Sequence, residues 1–402
     1  MHARPIQLGL DRVRAVATRL RLPPAIPALT VAGTNGKGSS ASLLAGIYRA
    51  AGWRVGIYTS PHLLRYNERI AIDGRAACDA ELCAAFAAIE QARSDVPLTY
   101  FEFGTLAALW VFRERQVQVQ VLEVGLGGRL DAVNLVDAQG MLITAIGLDH
   151  QDWLGADREA IAGEKAGILR PGKPAIYADP APTAAVAQAA RQTGAPLQSL
   201  GKDFNIQIVA DAWNWLGPSR AYKKLPMPGL SGMHQLHNAA GALALVECLQ
   251  ARLPVPESAI RSALPRLTLP GRFERHGRVI LDVAHNVEAV EALCRQLRSH
   301  GLGSLILILG MLADKPVGPI SRLLAPLTST AFLAGLPGPR GLDAASLHQR
   351  CGDVFAHAHC CGSVAEAYAA AVANARPGEH ILACGSFLTV AAVKALIEPV
   401  HG

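Results

Sequence analysis

The stretch Ala28-Leu29-Thr30-Val31-Ala32-Gly33-Thr34-Asn35-Gly36-Lys37-Gly38-Ser39 decides the fold of the first half of the chain. Residues 28–32 are apolar or β-branched and predict a buried strand, and the glycine-rich run that follows predicts a tight turn. A helix is predicted from about Ser39, because apolar residues recur there at helical spacing: Leu43, Leu44 and Ile47. A turn between a strand and a helix N-terminus forms an anion site, since backbone N–H groups and the helix dipole converge on it.

The run 33–39 (GTNGKGS) also has the residue types of a loop that binds nucleotide phosphates. Lys37 supplies a positive charge for the outer phosphates, and Ser39 supplies a hydroxyl. The standard pattern has four residues between the first glycine and the Gly-Lys pair, and its hydroxyl residue follows the lysine directly. Here the spacing is shorter and Gly38 follows the lysine. The strand before and the helix after favour ATP binding over the alternative, a structural glycine turn.

The composition points to a well-packed α/β protein. A chain of 402 residues is expected to form two domains. Half of its residues are hydrophobic and 17% are charged, and its 38 Gly and 25 Pro suit many tight turns. The net charge of +6 suits anionic ligands such as nucleotides or polycarboxylates, although a functionless arginine-rich surface is the alternative. There is no run of Lys and Arg and no interleaved aromatic stripe, so no nucleic-acid partner is expected.

The cysteines and the N-terminus indicate a cytoplasmic protein. The eight cysteines show no paired CxxC spacing, which argues against a zinc ribbon and for reduced thiols. The N-terminal segment Met1–Pro5 lacks the apolar core of a signal peptide. No stretch of about 18 uninterrupted apolar residues occurs, so no membrane-spanning helix is expected.

Two blocks of the chain show the strand–turn–helix rhythm of parallel α/β sheets. In the first block, further strands are predicted at 55–59, 117–124 and 141–146. The second block follows the Pro-Gly turn at 269–272; its predicted strands are 279–283, 304–309 and 380–384, and its predicted helices include 287–299 and 365–374. Between the blocks, the Pro/Gly-rich segment 200–230 is expected to be poor in strands.

Polar residues at the predicted strand ends are candidates for a ligand crevice, because the carboxyl ends of parallel strands line such a crevice. Ser60, Glu123 and His150 lie at or near three of these ends. Burying Glu123 without a partner would cost several kcal/mol, so a bound cation or a structural ion pair is required. A packing role for His150 is equally open, because Mg²⁺ prefers oxygen ligands.

Three more charged residues have two interpretations each. Lys165 on a predicted helix is by default a surface lysine. Asp282 follows a strand and could satisfy backbone donors or bind a ligand. Arg272, at the junction of the blocks, could clamp phosphate oxygens, which bidentate guanidinium geometry favours. Asn286 is the expected N-cap of the following helix.

Together these segments resemble the dihydrofolate synthase/folylpolyglutamate synthase family, the folate branch of the Mur ligase superfamily. The matching motifs cover nearly the whole chain: 30–39 (TVAGTNGKGS), 58–63 (YTSPHL), 122–132 (LEVGLGGRLDA), 148–150 (LDH), 163–168 (GEKAGI), 237–240 (HNAA), 269–273 (LPGRF), 282–286 (DVAHN), 310–315 (GMLADK), 338–341 (GPRG) and 384–387 (CGSF). The glycine after Lys37 is characteristic of this branch. The resemblance implies an N-terminal P-loop-type ATPase domain with a mostly parallel sheet (residues 1–271) and a smaller C-terminal Rossmann-like α/β glutamate-ligase domain (residues 272–402).

The resemblance also implies site residues. The implied ATP contacts are Thr34, Asn35, Gly36, Lys37, Gly38, Ser39, Asn238, Arg272 and Asp282. The implied Mg²⁺ contacts are Ser60, Glu123 and His150, with a carbamylated Lys165 approaching a second Mg²⁺; a monovalent cation is a further possible cofactor. Lys37, Lys165 and Arg272 are the implied catalytic groups. Some of the C-terminal motifs are expected to receive glutamate.

The family's pterin pocket maps onto three segments: Gln7, Leu8, Gly9 and Leu10; Thr99, Tyr100, Phe101 and Glu102; and Leu130, Asp131 and Ala132. Tyr100 and Phe101 could equally be core residues. Gln7 stands where related enzymes often have an acid. The chain also starts later than many relatives, which implies a shortened first helix or a misassigned start.

The implied reaction has two stages. A substrate carboxylate attacks the γ-phosphate of ATP to give an acyl phosphate, and the amine of L-glutamate then displaces phosphate to form an amide. The expected enzyme is bifunctional: it makes dihydrofolate from dihydropteroate and extends the glutamate tail of reduced folates. It is expected to be a monomer with only small-molecule partners. The alternatives are a polyglutamylation-only ligase, a more distant muramyl ligase, and a nucleotide-binding regulator without catalysis.

Overall fold

The structure, a computed structural model, describes residues 7–22 and 26–398. The chain divides into two compact units: one comprises the chain up to Gly229 together with Met233–Leu267, and the other comprises Leu230–Gly232 and the chain from Thr268. The functional division proposed after residue 271 stays a prediction. The prediction about a signal peptide concerns Met1–Pro5, which lies outside the described residues. Among the described helices, none is long and apolar enough to cross a membrane.

The first unit is built on an eight-stranded sheet with the order β4-β3-β2-β5-β1-β6-β7-β8. Its strands are Ala28–Ala32 (β1), Val55–Tyr58 (β2), Ile70–Ile72 (β3), Arg75–Ala76 (β4), Val119–Glu123 (β5), Gly140–Ile143 (β6), Ala175–Tyr177 (β7) and Leu197–Ser199 (β8). All neighbours from β2 to β8 are parallel. Strand β1 is buried throughout and lies between β5 and β6, so the loop after it leaves the middle of the sheet.

Helices cover this sheet: Asp11–Arg19 (α1), Lys37–Ala50 (α2), Asp79–Arg93 (α3), Tyr100–Glu114 (α4), Gln151–Leu154 (α5), Arg158–Ala166 (α6), Ala184–Thr193 (α7), Met233–Cys248 (α8) and Glu257–Ala263 (α9). Helix α2 begins at Lys37, earlier than predicted, and buries Leu43, Leu44 and Ile47 as expected. The early start matters because it places the lysine at the helix N-terminus.

The expectation of a strand-poor segment at 200–230 is wrong. Strands Asn205–Val209 (β9), Ala212–Leu216 (β10) and Ala221–Pro226 (β11) form a three-stranded antiparallel sheet. Trp213 and Trp215 are both buried in β10. The ring N–H of Trp213 donates to the carbonyl of Pro226 at 3.0 Å, and that of Trp215 donates to the carbonyl of Ala240 at 3.1 Å. The Pro and Gly residues of this segment lie between the short strands or at their ends, so they do not prevent strand formation.

The second unit holds a six-stranded sheet with the order β12-β13-β17-β14-β15-β16. Its elements in chain order are Glu274–His276 (β12), Val279–Leu281 (β13), Val287–Ser299 (α10), Leu305–Leu309 (β14), Val317–Leu324 (α11), Thr328–Ala334 (β15), Ala344–Cys351 (α12), Ala358–Cys361 (β16), Val364–Asn374 (α13), His380–Cys384 (β17) and Phe387–Ile397 (α14). Asn286 caps α10 as predicted, accepting from the N–H of Ala289 at 3.0 Å. The two units confirm the mixed α/β class with mostly parallel sheets.

Candidate active site

The loop between β1 and α2 has the geometry of a phosphate-binding loop. Gly33 and Gly36 have φ of +151° and +92°, which favour glycine. The carbonyl of Gly36 accepts the first hydrogen bond of the helix, so the N–H groups of residues 37–39 have no acceptor within it. Lys37 Nζ donates to the carbonyls of Gly33 (3.0 Å) and Thr34 (3.1 Å). The ammonium and the helix N-terminus therefore lie on the same short loop.

Two side chains from other elements fix this loop. Thr144 Oγ1, just after β6, donates to the carbonyl of Asn35 at 2.8 Å. The loop approaches so closely that a Cβ on Gly33 would lie 1.8 Å from Thr144 Oγ1, and one on Gly36 would lie 2.3 Å from Asn238 Oδ1. Asn238 in α8, predicted as an ATP contact, thus stands against the phosphate loop.

Glu123 is the buried acid next to this loop. It ends β5, the neighbour of β1, and is 4% exposed. Its Oε2 accepts the backbone N–H of Ser60 at 3.0 Å, and the same oxygen lies 3.7 Å from the position of a Cβ on Gly38. Ser39 is also buried. The sheet order therefore brings two predicted metal contacts, Ser60 and Glu123, to the start of α2.

His150 occupies the N-cap position of α5 with φ of +53°. Its backbone N–H donates to Asp149 Oδ1 at 2.9 Å, and its Nε2 lies 3.9 Å from Asp149 Oδ2. The Asp149 side chain is only 12% exposed. Asp149 lies inside the LDH motif but was not among the site residues predicted from the sequence.

Lys165 is buried, so its interpretation as a surface lysine is wrong. It is 4% exposed, and within the described chain its ammonium makes no hydrogen bond or ion pair. Burial, followed by the charge of Lys37, lowers the pKa of Lys165 to about 7, although Asp149 and Asp131 oppose the shift. An amine with this pKa is substantially neutral at physiological pH, and only the neutral form is a nucleophile.

Asp131 shapes the loop that leads from β5 toward Lys165. Its Oδ2 accepts the N–H groups of Gly125 (3.1 Å) and Leu126 (2.9 Å), and its Oδ1 accepts that of Val133 (2.9 Å). Burial raises the pKa of Asp131 to about 6 despite these donors and the charge of Lys37. A Cβ on Gly128 of the same loop would lie 2.8 Å from the Lys165 carbonyl oxygen, so the loop packs tightly on α6.

The three predicted pterin segments lie side by side. The N–H of Gly9 donates to the carbonyl of Leu130 at 3.3 Å. Arg12 Nη2 donates to the carbonyl of Gln7 at 2.8 Å and pairs with Glu102 Oε1 at 2.9 Å. Leu8 and Leu10 are half-buried and Ala132 is buried. The fold thus joins α1, α4 and the 130–132 loop, which are distant in sequence.

Within the second segment, Thr99 and Glu102 have structural partners. Thr99 Oγ1 accepts the N–H of Glu102, and the N–H of Thr99 donates to Glu102 Oε2 at 2.7 Å, which forms a capping box at the start of α4. Phe101 packs so closely on the 125–131 loop that a Cβ on Gly125 would lie 2.5 Å from its Cζ. Tyr100 is 36% exposed. Of these four residues, the exposed face of Tyr100 is the freest to contact a ligand.

Arg69 is a residue that the sequence analysis missed. It is 8% exposed, and its Nε donates to His62 Nδ1 at 2.8 Å. Its guanidinium carbon lies 5.5 Å and 5.3 Å from the ring centroids of Tyr66 and Tyr100. No carboxylate of the described residues pairs with it. A buried cation held by aromatic faces suits an anionic group of a ligand; sequence alone does not distinguish it from a surface arginine.

In the second unit, Arg272 and Asp282 lie close together. Asp282 Oδ2 accepts the N–H of Phe273 at 2.8 Å and its Oδ1 accepts that of Ala284 at 2.9 Å, so this carboxylate does satisfy backbone donors. Burial raises the pKa of Asp282, and the charge of Arg272 opposes the shift. The guanidinium carbon of Arg272 lies 5.4 Å from the ring centroid of Phe387.

Two further motifs of the second unit, 310–315 and 338–341, also meet. Arg340 Nη2 donates to Asp314 Oδ1 at 2.9 Å, and Asp314 Oδ2 lies 3.5 Å from Lys315 Nζ. Lys315 is 7% exposed. Two cations therefore flank one carboxylate at a place where the sequence shows only short, separate motifs.

Comparison with known proteins places these features in a family. Residues 271–387 match the family described as "Mur ligase, glutamate ligase domain". The dihydrofolate synthase/folylpolyglutamate synthase of Escherichia coli is 43% identical over 99% of this chain and 93% of its own length. The folylpolyglutamate synthase of Lacticaseibacillus casei is 34% identical over 90% of this chain and 88% of its own length.

Solved structures agree with the sequence comparison. E. coli FolC in complex with DHPP and ADP superposes with a TM-score of 0.92 at 43% identity, covering 98% of this chain and 94% of that one. A bifunctional folylpolyglutamate synthase/dihydrofolate synthase with Mn, AMPPNP and L-glutamate bound gives a TM-score of 0.91 at 42% identity, covering 98% and 95%.

Proposed function

The chain belongs to the dihydrofolate synthase/folylpolyglutamate synthase family, and from that premise we propose that it is the ATP-dependent ligase that joins L-glutamate to dihydropteroate and to reduced folates. The observation that carries the proposal is the contact of the buried Glu123 with Ser60 beside the phosphate loop. A glycine turn with only a structural role has no need of a buried carboxylate at the helix N-terminus.

The residues of the loop have a defined part in the first step. The N–H groups of residues 37–39 and the ammonium of Lys37 hold the phosphates of ATP, and they offset the charge that spreads over the transferring γ-phosphoryl group. The substrate carboxylate attacks the γ-phosphorus, ADP leaves, and the resulting acyl phosphate gives up phosphate to the amine of L-glutamate. Asn238, Arg272 and Asp282 are proposed as further ATP contacts.

Glu123, Ser60 and His150 are proposed as the contacts of a divalent metal. Glu123 fits this role because it is a buried hard oxygen donor next to the phosphate loop. When bound, Mg²⁺ neutralises phosphate charge and polarises the transferring group. The proposal is supported by the solved structure of a relative with Mn and AMPPNP bound.

Lys165 is proposed to be carbamylated. The amine is buried without a partner, and CO₂ adds only to the neutral amine, which its surroundings favour. The carbamate would convert a cation into an oxygen ligand for a second Mg²⁺. A monovalent cation remains part of the proposal as a further cofactor.

A polyglutamylation-only ligase is the second candidate, because the L. casei relative is named folylpolyglutamate synthase alone. The proposed pterin pocket, with Gln7–Leu10, Thr99–Glu102 and Leu130–Ala132, would receive either substrate. Arg69 beside Tyr100 extends this pocket with a positive charge.

One assay separates these functions. Phosphate release from ATP is measured with L-glutamate and either dihydropteroate or tetrahydrofolate in parallel, with glutamate-free controls. Turnover with both substrates is expected; turnover with tetrahydrofolate alone reduces the function to polyglutamylation. Nucleotide binding without turnover on either substrate would leave only the non-catalytic regulator. We further propose that the enzyme is cytoplasmic and that it is a monomer. Light scattering at working concentration tests the monomeric state.

A further inference from the structure

The turn that carries Arg272 has an unfavourable backbone shape. Gly271 has φ of +70° and Phe273 has φ of +48°, in the left-handed region that side chains other than Asn and Asp seldom adopt. The turn closes with a hydrogen bond from the N–H of Arg272 to the carbonyl of Leu269 at 3.2 Å. Such a backbone persists only where its surroundings hold it.

Two carboxylates hold this turn through its backbone. Glu274 Oε2 accepts the N–H of Gly271 at 2.7 Å, on one side of Arg272. Asp282 Oδ2 accepts the N–H of Phe273 at 2.8 Å, on the other side. The carbonyl of Gly271 also accepts the N–H of Val283 at 2.9 Å.

Glu274 is itself held by Lys394. The Lys394 ammonium pairs with Glu274 Oε1 and, at 3.0 Å, with Glu398 Oε2; His276 Nε2 lies 2.8 Å from Glu274 Oε1. Lys394 is 7% exposed. Glu274, His276 and Glu398 are close enough to hold a metal ion, but the ammonium already bonds to both carboxylates. The cluster is therefore better explained as an ion-pair network.

A single helix holds both the backbone and the side chain of Arg272. Phe387, over which the guanidinium lies, is the first residue of α14, and Lys394 follows it seven positions later on the same helix. Residues seven apart lie two turns apart on one helix face. The first turn of α14 therefore contacts the guanidinium of Arg272 through Phe387. The last turn of α14 contacts Glu274 through Lys394, and Glu274 in turn accepts the backbone N–H of Gly271.

We propose that Lys394 and Glu274 are positioning residues that fix Arg272 for the phosphoryl-transfer step. This inference rests on the proposed function, in which Arg272 contacts ATP. Neither residue has a part in the proposed ATP or metal contacts. Removing the Lys394 ammonium leaves Glu274 without its buried cation, so the carboxylate turns toward solvent and releases the N–H of Gly271.

The test is a double-mutant cycle with Lys394→Met and Arg272→Ala in the full chain, measuring kcat and KM for ATP at saturating glutamate and tetrahydrofolate. Lys394→Met is expected to lower kcat/KM for ATP by about tenfold, since a displacement of about 1 Å can cost up to a hundredfold. In the Arg272→Ala background the same substitution is expected to have no kinetic effect, while lowering the melting temperature equally in both backgrounds. Lys394→Arg should restore most of the activity.

The matched control is Arg295→Met, which removes a cation from an i,i+4 pair with Glu291 on α10 of the same unit. It should leave kcat/KM for ATP unchanged. If Lys394→Met lowers kcat/KM equally in both backgrounds, the network does not act through Arg272 and the proposal is overturned. Wild-type kinetics for Lys394→Met would overturn it too, because the network would then affect stability alone. Absence of glutamate-dependent turnover in the wild type would instead refute the proposed function.

Discussion

In the proposed function, the phosphate loop at 33–39 and the turn at 269–274 each supply a cation that contacts ATP. The contacts that hold these two cations differ in how far apart in the sequence their partners lie. Lys37 Nζ donates to carbonyls three and four positions away, within its own loop. Arg272 depends on Glu274, which is held by a lysine 120 positions further along the chain. A local arrangement is visible in the sequence, whereas one built by tertiary contacts is not.

The largest expected effect comes from the local arrangement. Lys37→Met removes the only side-chain charge of the loop, and we expect glutamate-dependent ATP turnover to fall by at least about a thousandfold, near the upper range for loss of one preorganised donor. The melting temperature should change little, because Nζ donates to carbonyls of its own loop.

Lys202→Met, at an exposed lysine of the same unit, is the control and should retain full turnover. A Lys37→Met enzyme with more than a tenth of wild-type activity would contradict the role given to the phosphate loop. It would also remove the basis for contrasting this loop with the turn at 269–274.

A smaller effect is expected from Gly36→Ala, which tests how closely Asn238 approaches the loop. The added Cβ would lie 2.3 Å from Asn238 Oδ1, and φ is +92°. Backbone strain should lower the free energy of unfolding by about 1–3 kcal/mol. Displacement of the loop should lower kcat/KM for ATP by about tenfold to a hundredfold.

Gly52→Ala is the matched control for this substitution, because Gly52 has φ of +93° and no atom within 4 Å of the added Cβ. It should show similar strain in thermal unfolding with unchanged kinetics. Equal kinetic losses in the two variants would mean that backbone strain, and not the contact with Asn238, disturbs the loop.

The contrast also explains how much of the site could be predicted. Ser60, Glu123 and Lys37 stand at strand ends or helix starts, and periodicity with turn chemistry locates such positions. Residues whose burial and partners depend on tertiary packing were misinterpreted or missed. Lys165 looks like any helix lysine until α6 packs on the 125–131 loop, and Arg69 looks like a surface cation until two tyrosine rings enclose it. The sheet at 200–230 was missed because three short strands with Pro and Gly between them carry little periodic signal.

The smallest expected effect concerns acid, and it tests whether the turn at 269–274 depends on charge. Burial acts to raise the pKa of Glu274, but hydrogen bonds from Lys394, Gly271 and His276 together outweigh it and hold the pKa below its ordinary value of 4.5. The sign follows from linkage: the ionised carboxylate stabilises the fold above the ordinary pKa, and this contribution is lost as the pH falls through the lowered value. The difference in melting temperature between wild type and Glu274→Gln should therefore be present at pH 5 and shrink as the pH falls below about 4.5. Glu90→Gln, which breaks the ion pair of an exposed glutamate with Arg93, should change the melting temperature little at any of these pH values. A difference for Glu274→Gln that stays unchanged down to the lowest pH at which the wild type is folded would show that packing, and not the ion pair with Lys394, holds the turn.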